Sequence, residues 1–175
     1  MRKILLILTF ILFSTLVYAG NNDNITESGF INKKVKLIKD FKIKDPKNKI
    51  ILIYNHGQNE NDTSKDCTWV SYLRNHASLI DQEVNGKKIM VYNLCTDHLK
   101  GDMSQKKDWW YLKPQPKIYE GQHILDKRVE ANLELVEKLV SAGVPRKQVF
   151  VTGHSCGGLT TLLFMSRYPD KAGGG

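Results

Sequence analysis

The sequence predicts an α/β fold: a three-layer sandwich on a mostly parallel sheet. Three observations carry this. Ile50–Tyr54, Ile89–Tyr92 and Val149–Thr152 are short continuous apolar runs, the pattern of strands covered on both faces. Each run is followed by a segment with helical apolar spacing, and that alternation implies parallel strands joined by right-handed crossovers. The last run enters its helix through Gly153-His154-Ser155-Cys156-Gly157-Gly158, a glycine-rich turn of the kind that lifts a side chain above a sheet edge.

The chain has 175 residues, 41% hydrophobic and 25% charged, which suits one domain with a real core. Its first 19 residues read as a removable secretory signal. Arg2-Lys3 supply the positive start, Ile4 to Leu12 the apolar centre, and Val17 and Ala19 the small residues before the cut. The apolar stretch is short for a membrane span, so no stable membrane anchor is expected after cleavage, and the location is periplasmic or secreted. Residues 20–30 read as a flexible N-terminus rich in Asn and Asp. Residues 31–175 are the domain.

The formal charge is +8, falling to +6 once Arg2 and Lys3 leave. The lysines are scattered between Lys33 and Lys49, with no basic stripe and no basic-aromatic module, so no nucleic-acid partner is expected. Of three cysteines, Cys67 and Cys95 are the plausible disulfide pair in an oxidising compartment. Closing that loop would stabilise by roughly 3–4 kcal/mol. Cys156 is then the odd one and packs inward as a small hydrophobe.

The elements follow in order. Val35 to Ile43 alternates with period two, as a half-exposed strand or hairpin does. Ile50–Tyr54 is a central strand ending at Asn55-His56-Gly57-Gln58. Trp69, Val70, Leu73, Ala77 and Ile80 share one face of a helix. Asn85-Gly86 turns the chain into the strand at Ile89–Tyr92. Residues 95–117 form a long irregular segment, a kind of loop that is often functional. Val129, Leu133, Val136 and Val140 share the face of the next helix, with Gly143 as its C-cap. The strand at Val149–Thr152 follows, then a helix with an apolar stripe of Leu159, Leu162, Leu163 and Met165, ended by Tyr168-Pro169.

Ligands in such sheets bind beyond the carboxyl ends of the strands. His56-Gly57-Gln58, the 95–111 segment and Ser155 all fall there. Gly153, His154, Ser155, Cys156 and Gly157 match the G-x-S-x-G elbow. Flanking glycines remove the Cβ clashes of a sharp turn. A serine nucleophile also needs donors for the oxyanion it creates. The backbone N–H of Cys156 is one candidate. That of Gln58 is the other, with Gly57 allowing close approach.

Tyr54-Asn55-His56-Gly57 and Gly153-His154-Ser155-Cys156-Gly157-Gly158, each after an apolar strand, resemble the α/β-hydrolase superfamily. The resemblance is greatest to its branch of dienelactone hydrolases and prolyl-oligopeptidase-like esterases, and it spans roughly residues 48–172. It implies Ser155 as nucleophile, with Cys156 and Gln58 lining the oxyanion hole. Dienelactone hydrolases carry cysteine at the centre of the elbow. Serine stands there in this chain, which favours serine esterase chemistry.

The family's chain order is Ser, then Asp or Glu, then His. Twenty residues follow Ser155; they include Asp170 but no histidine. The acid and base are therefore expected beyond Gly175, making residues 31–175 a partial α/β-hydrolase domain. Upstream, His56 and His98 sit at the correct edge, with His56 suited to orienting its loop or bordering the pocket. His154 is expected to face away and be satisfied in packing, and His76 and His123 to be solvated on helices. Asp97, Asp102 and Asp108 could contact substrate. Trp109, Trp110 and Tyr111 are candidates for a pocket wall.

The function expected is that of a secreted serine hydrolase acting on a small-molecule ester, or on a peptide, through an acyl-enzyme. It would use no cofactor and no metal, and the chain as it stands would be a fragment without acid or base. The alternative is a non-catalytic α/β-hydrolase-like binding protein.

Overall fold

The computed structural model describes residues 29–31, 37–38, 42–57, 70–95 and 124–175. Its strands are β1 (Phe30–Ile31), β2 (Leu37–Ile38), β3 (Lys49–Asn55), β4 (Glu83–Val84), β5 (Lys87–Leu94) and β6 (Val149–Gly153). Its α-helices are α1 (Ile124–Ser141) and α2 (Cys156–Arg167), joined by a 3-10 helix at Val70–Leu79 and shorter ones at Pro46–Asn48 and Arg146–Gln148.

The sheet is mixed, in the order β2-β1-β5-β3-β6, with β4 on β5. β5, β3 and β6 run parallel. β1 and β4 join β5 antiparallel, and β2 joins β1 likewise. The parallel centre is as predicted, and the antiparallel border comes from short strands. β1 takes in Phe30, the last residue of the stretch that the sequence predicts as a flexible N-terminus. Phe30 is buried and meets Tyr92 edge-on, ring centroids 5.1 Å apart, so a short apolar pair beside an Asn-rich stretch can still be core.

Period-two alternation sorts the strand side chains between two cores. Ile51, Ile53, Tyr92, Leu94, Val149 and Val151 pack with α1 and α2. Tyr54 and Val91 pack with Leu73 and Ile80 on the opposite face, with Leu52 and Ala77 beside them. The two helices thus cover one face and the 3-10 helix the other, which makes three layers. The segment predicted as a helix around Leu73 is 3-10 over its ten residues. Apolar spacing reports which residues pack, not which hydrogen bond closes each turn.

Both helix faces differ from expectation. On α1, Val129 and Val136 are buried as predicted, but Leu133 and Val140 are only partly so. A second buried line runs through Leu125, Arg128, Asn132, Leu135 and Leu139; its two polar members hide it from an apolar count. On α2, Leu162 is 68% exposed, while Cys156, Gly157, Thr160, Thr161 and Phe164 face inward. Small residues let α2 approach the sheet closely. The two threonines satisfy their hydroxyls on the carbonyls of Cys156 and Gly157.

The turns follow prediction. Asn85 and Gly86, at φ 50° and 71°, link β4 to β5 as a two-residue hairpin loop with both central residues at positive φ. Gly143, at φ 96°, ends α1. Its N–H bonds the Val140 carbonyl and the Val144 N–H bonds that of Leu139, the paired bonds of a Schellman motif. Past α2, the Gly173 N–H bonds the Val149 carbonyl and the Val151 N–H bonds that of Gly174, so this stretch runs parallel beside β6.

Candidate active site

The chain leaves β3 for β5 on one side of it, then returns through α1 to β6 on the other. The direction of winding reverses at β3. The crevice between the carboxyl ends of β3 and β6 is therefore a topological switch point, where open α/β sheets bind ligands. Asn55 and Gly153 are register partners at those ends, and the His154 N–H bonds the Asn55 carbonyl at 3.2 Å. His56-Gly57 and the Ser155 turn emerge side by side.

Ser155 sits between β6 and α2 at φ 54°, ψ −118°. A non-glycine residue with that φ is strained by roughly 1–3 kcal/mol and persists only where its surroundings enforce it. They do so by contact. A Cβ on Gly153 would lie 2.4 Å from the Gly157 backbone, and one on Gly157 would lie 2.0 Å from the Asn55 carbonyl oxygen. The Gly157 N–H bonds the His154 carbonyl at 2.9 Å, closing the turn. Ser155 is exposed and its hydroxyl makes no capping bond to α2, so it faces outward at the positive end of the helix.

Gly57 faces this serine. A Cβ on Gly57 would lie 3.4 Å from the Ser155 Cβ and equally far from the His154 carbonyl and Nδ1. The structure thus brings together Gly57, Gly153, His154, Ser155, Cys156 and Gly157, all predicted as site residues.

Beneath them lies a buried polar network that apolar pattern did not reveal. Asn55 and Asn132 exchange amide hydrogen bonds at 3.0 and 2.8 Å. Asn55 also donates to the Thr152 carbonyl, and Asn132 to that of Arg128. The Arg128 guanidinium, 4% exposed, donates from Nη1 to the His56 carbonyl at 3.1 Å and to the Cys156 Sγ at 3.4 Å. Its Nη2 lies almost equally far from both nitrogens of the His56 ring, 3.3 Å from Nε2 and 3.4 Å from Nδ1. Nδ1 is also 2.7 Å from the Gly57 carbonyl oxygen. A carbonyl only accepts, so Nδ1 carries the proton.

Burial, then the Arg128 charge, lowers the His56 pKa to about 4, against a smaller upward pull from the Gly57 carbonyl. At neutral pH the ring is neutral. The ring is buried, with Nδ1 on the Gly57 carbonyl and the Arg128 guanidinium beside it. Burial raises the Cys156 thiol and Arg128 opposes that rise. The thiol packs inward as predicted, with a cation against it that was not foreseen.

Two other histidines depart from expectation. His154 is exposed rather than packed, because the tight turn turns its ring outward over Gly57. His76 is half-buried and meets the Tyr54 ring at a tilt of 51°, centroids 4.9 Å apart. Burial lowers its pKa, partly offset by the Leu73 carbonyl. Cys95 is disulfide-bonded and Cys156 is free. Gln58, Cys67, Asp97, His98, Asp102, Asp108, Trp109, Trp110, Tyr111 and His123 lie outside the described residues, as do residues 1–28.

Among the described residues, no helix is long and apolar enough to cross a membrane. Among them too, no group of three or more His, Cys, Asp or Glu side chains is arranged to hold a metal ion. Compared with known proteins, the chain matches no protein-family model and no curated protein.

Proposed function

We propose that this protein is an exported serine hydrolase of the α/β-hydrolase type, cleaving a small-molecule ester through an acyl-enzyme on Ser155. The observation that carries this reading is the Ser155 backbone, held at φ 54°, ψ −118° by glycine contacts and set opposite Gly57. Strain at an exposed serine, enforced from both flanks, has a purpose if that hydroxyl must stand clear of its helix to attack.

In the reaction, the Ser155 oxygen adds to the ester carbonyl as a general base takes its proton. The oxyanion is met by the Cys156 N–H and by the N–H following Gly57. The carbonyl re-forms, the alcohol leaves with a proton, and water later releases the acid by the same route. His56 is not assigned as the base, because it is buried beside the Arg128 charge with its Nδ1 on the Gly57 carbonyl. The resemblance to dienelactone hydrolases and prolyl-oligopeptidase-like esterases supports an ester over a peptide as substrate.

The test is labelling with a fluorophosphonate probe, using the protein made from its complete open reading frame. Wild type should be labelled on Ser155, and Ser155→Ala should not. A folded wild type that stays unlabelled and hydrolyses no short-chain p-nitrophenyl ester overturns the reading in favour of a non-catalytic binding protein.

A further inference from the structure

We propose that Arg128 is a positioning residue for the oxyanion hole, the side chain that locks the β3 exit loop to the nucleophile turn. The proposal rests on the serine-hydrolase reading above and deepens it. One guanidinium on α1 reaches the main chain of the loop at the His56 carbonyl, the ring of His56, and the Cys156 side chain on α2. Those two residues adjoin or carry the proposed donors. Arg128 never touches substrate in this arrangement, being buried below the turn.

The way it acts follows from peptide geometry. The Gly57 carbonyl and the N–H that follows it belong to one planar unit and point in opposite directions in the trans form. The His56 Nδ1–H holds that carbonyl at 2.7 Å. Fixing the carbonyl fixes where the N–H aims. The His56 ring is in turn set by Arg128, whose Nη2 lies 3.3 and 3.4 Å from its two nitrogens. The line Arg128, His56, Gly57 carbonyl therefore transmits position from α1 to a donor that Arg128 does not contact. Asn132, one turn along α1, binds both the Arg128 carbonyl and Asn55 at the end of β3, so the anchor of the arginine is itself tied to the strand that carries the loop.

A neutral residue of similar length could fill the space. A cation here has two effects that a hydrophobe lacks. It makes a charge-assisted bond to the His56 carbonyl oxygen, and it disfavours a second positive charge on the adjacent His56 ring. A protonated His56 would be repelled by Arg128, and the arrangement that depends on their contact would be lost. Among the described residues, the titratable and charged groups meeting here include Arg128 from α1, His56 from the loop and the Cys156 thiol from α2.

The experiment compares wild type, Arg128→Met and Arg128→Lys, each made from the complete open reading frame and checked for folding by thermal melting. The first readout is fluorophosphonate inactivation resolved into kinact and KI. Arg128→Met should lower kinact about 100-fold, as loss of one oxyanion donor does, with KI changed less than about twofold. Arg128→Lys keeps the charge but not the fork that spans three partners, and should lose about 10-fold. The second readout is the nitrogen-15 spectrum of His56. Wild type should show the Nδ1–H tautomer and stay neutral down to about pH 4. In Arg128→Met the titration should move upward, because the Arg128 charge that helps lower it is gone.

A folded Arg128→Met with wild-type kinact overturns the proposal alone, since Ser155 still reacts. Wild type that is not labelled overturns the serine-hydrolase reading and this one with it. If neither variant folds, Arg128 is structural and the proposal fails.

Discussion

Among the described residues Asp45, Asp81, Asn85 and Ser155 stand at positive φ, and the turns that hold Asn85 and Ser155 reach it by different means. The hairpin between β4 and β5 has Asn85 at 50° followed by Gly86 at 71°, and a Cβ on Gly86 would meet nothing within 4 Å. That turn is relaxed by composition: asparagine tolerates the left-handed region and glycine has no side chain to strain. The β6–α2 turn has Ser155 at a similar φ of 54° but with ψ −118°, outside the left-handed well. It is held there by packing, because Gly153 and Gly157 let β6, α2 and the end of β3 close around it. One turn follows the preferences of its residues and the other overrides them. Strain of this enforced kind clusters at active sites, ligand clamps and switch regions.

The sharpest way to break this contrast is Gly157→Ala. The new Cβ would be 2.0 Å from the Asn55 oxygen and 2.6 Å from its carbon, both backbone atoms of a central strand. Neither can move without shifting β3. The expected cost is about 3 kcal/mol or more, at the upper end for overpacking, with loss of Ser155 labelling. The neighbouring Gly158→Ala is the control, since the nearest atom there is 3.7 Å away. It should be stable to within about 1 kcal/mol, and on helix propensity slightly more stable than wild type. Urea unfolding of the pair measures both. Equal stability in the two variants would show that the elbow is not held by contact.

A smaller effect isolates the strain itself. Ser155→Ala and Ser155→Gly both remove the hydroxyl, but only glycine relieves the backbone. Glycine should be the more stable by about 1 kcal/mol, after allowing for its greater freedom in the unfolded chain. The comparison is read from urea midpoints at equal slope. An alanine variant as stable as the glycine variant would mean that Ser155 carries no strain to relieve.

The same contrast explains what was legible beforehand. Apolar runs of β3, β5 and β6 are visible because burial on both faces requires unbroken hydrophobicity. The glycines of the elbow, the Asn85-Gly86 turn and the Gly143 cap are visible because each meets a backbone demand that few residues satisfy. Arg128 and Asn132 were not visible. A buried polar residue on an amphipathic helix looks like a member of the wet face, and only its partners, 72 and 77 positions away at His56 and Asn55, show otherwise. Leu162 misled in the opposite sense: it fits an apolar stripe, but a helix that must approach a sheet closely turns its small residues inward. Pairing order was also hidden, since the reversal at β3 that opens the crevice depends on which edge each crossover joins.

The smallest effect tests the relaxed turn. Gly86→Ala adds a methyl group to open space, so any loss of stability comes from torsion alone. At φ 71° an L-residue is disfavoured by roughly 1–2 kcal/mol, offset in part by the lower entropy of the unfolded chain. The net cost should be about 1 kcal/mol, measured by urea unfolding, with no change in Ser155 labelling. This figure calibrates the other two variants. Gly157→Ala combines no positive φ with a severe contact, Gly86→Ala a positive φ with no contact, and Ser155 a strained backbone with contacts on both flanks. If Gly86→Ala proves as costly as Gly157→Ala, torsion and not packing dominates both turns, and the distinction between a relaxed hairpin and an enforced elbow collapses.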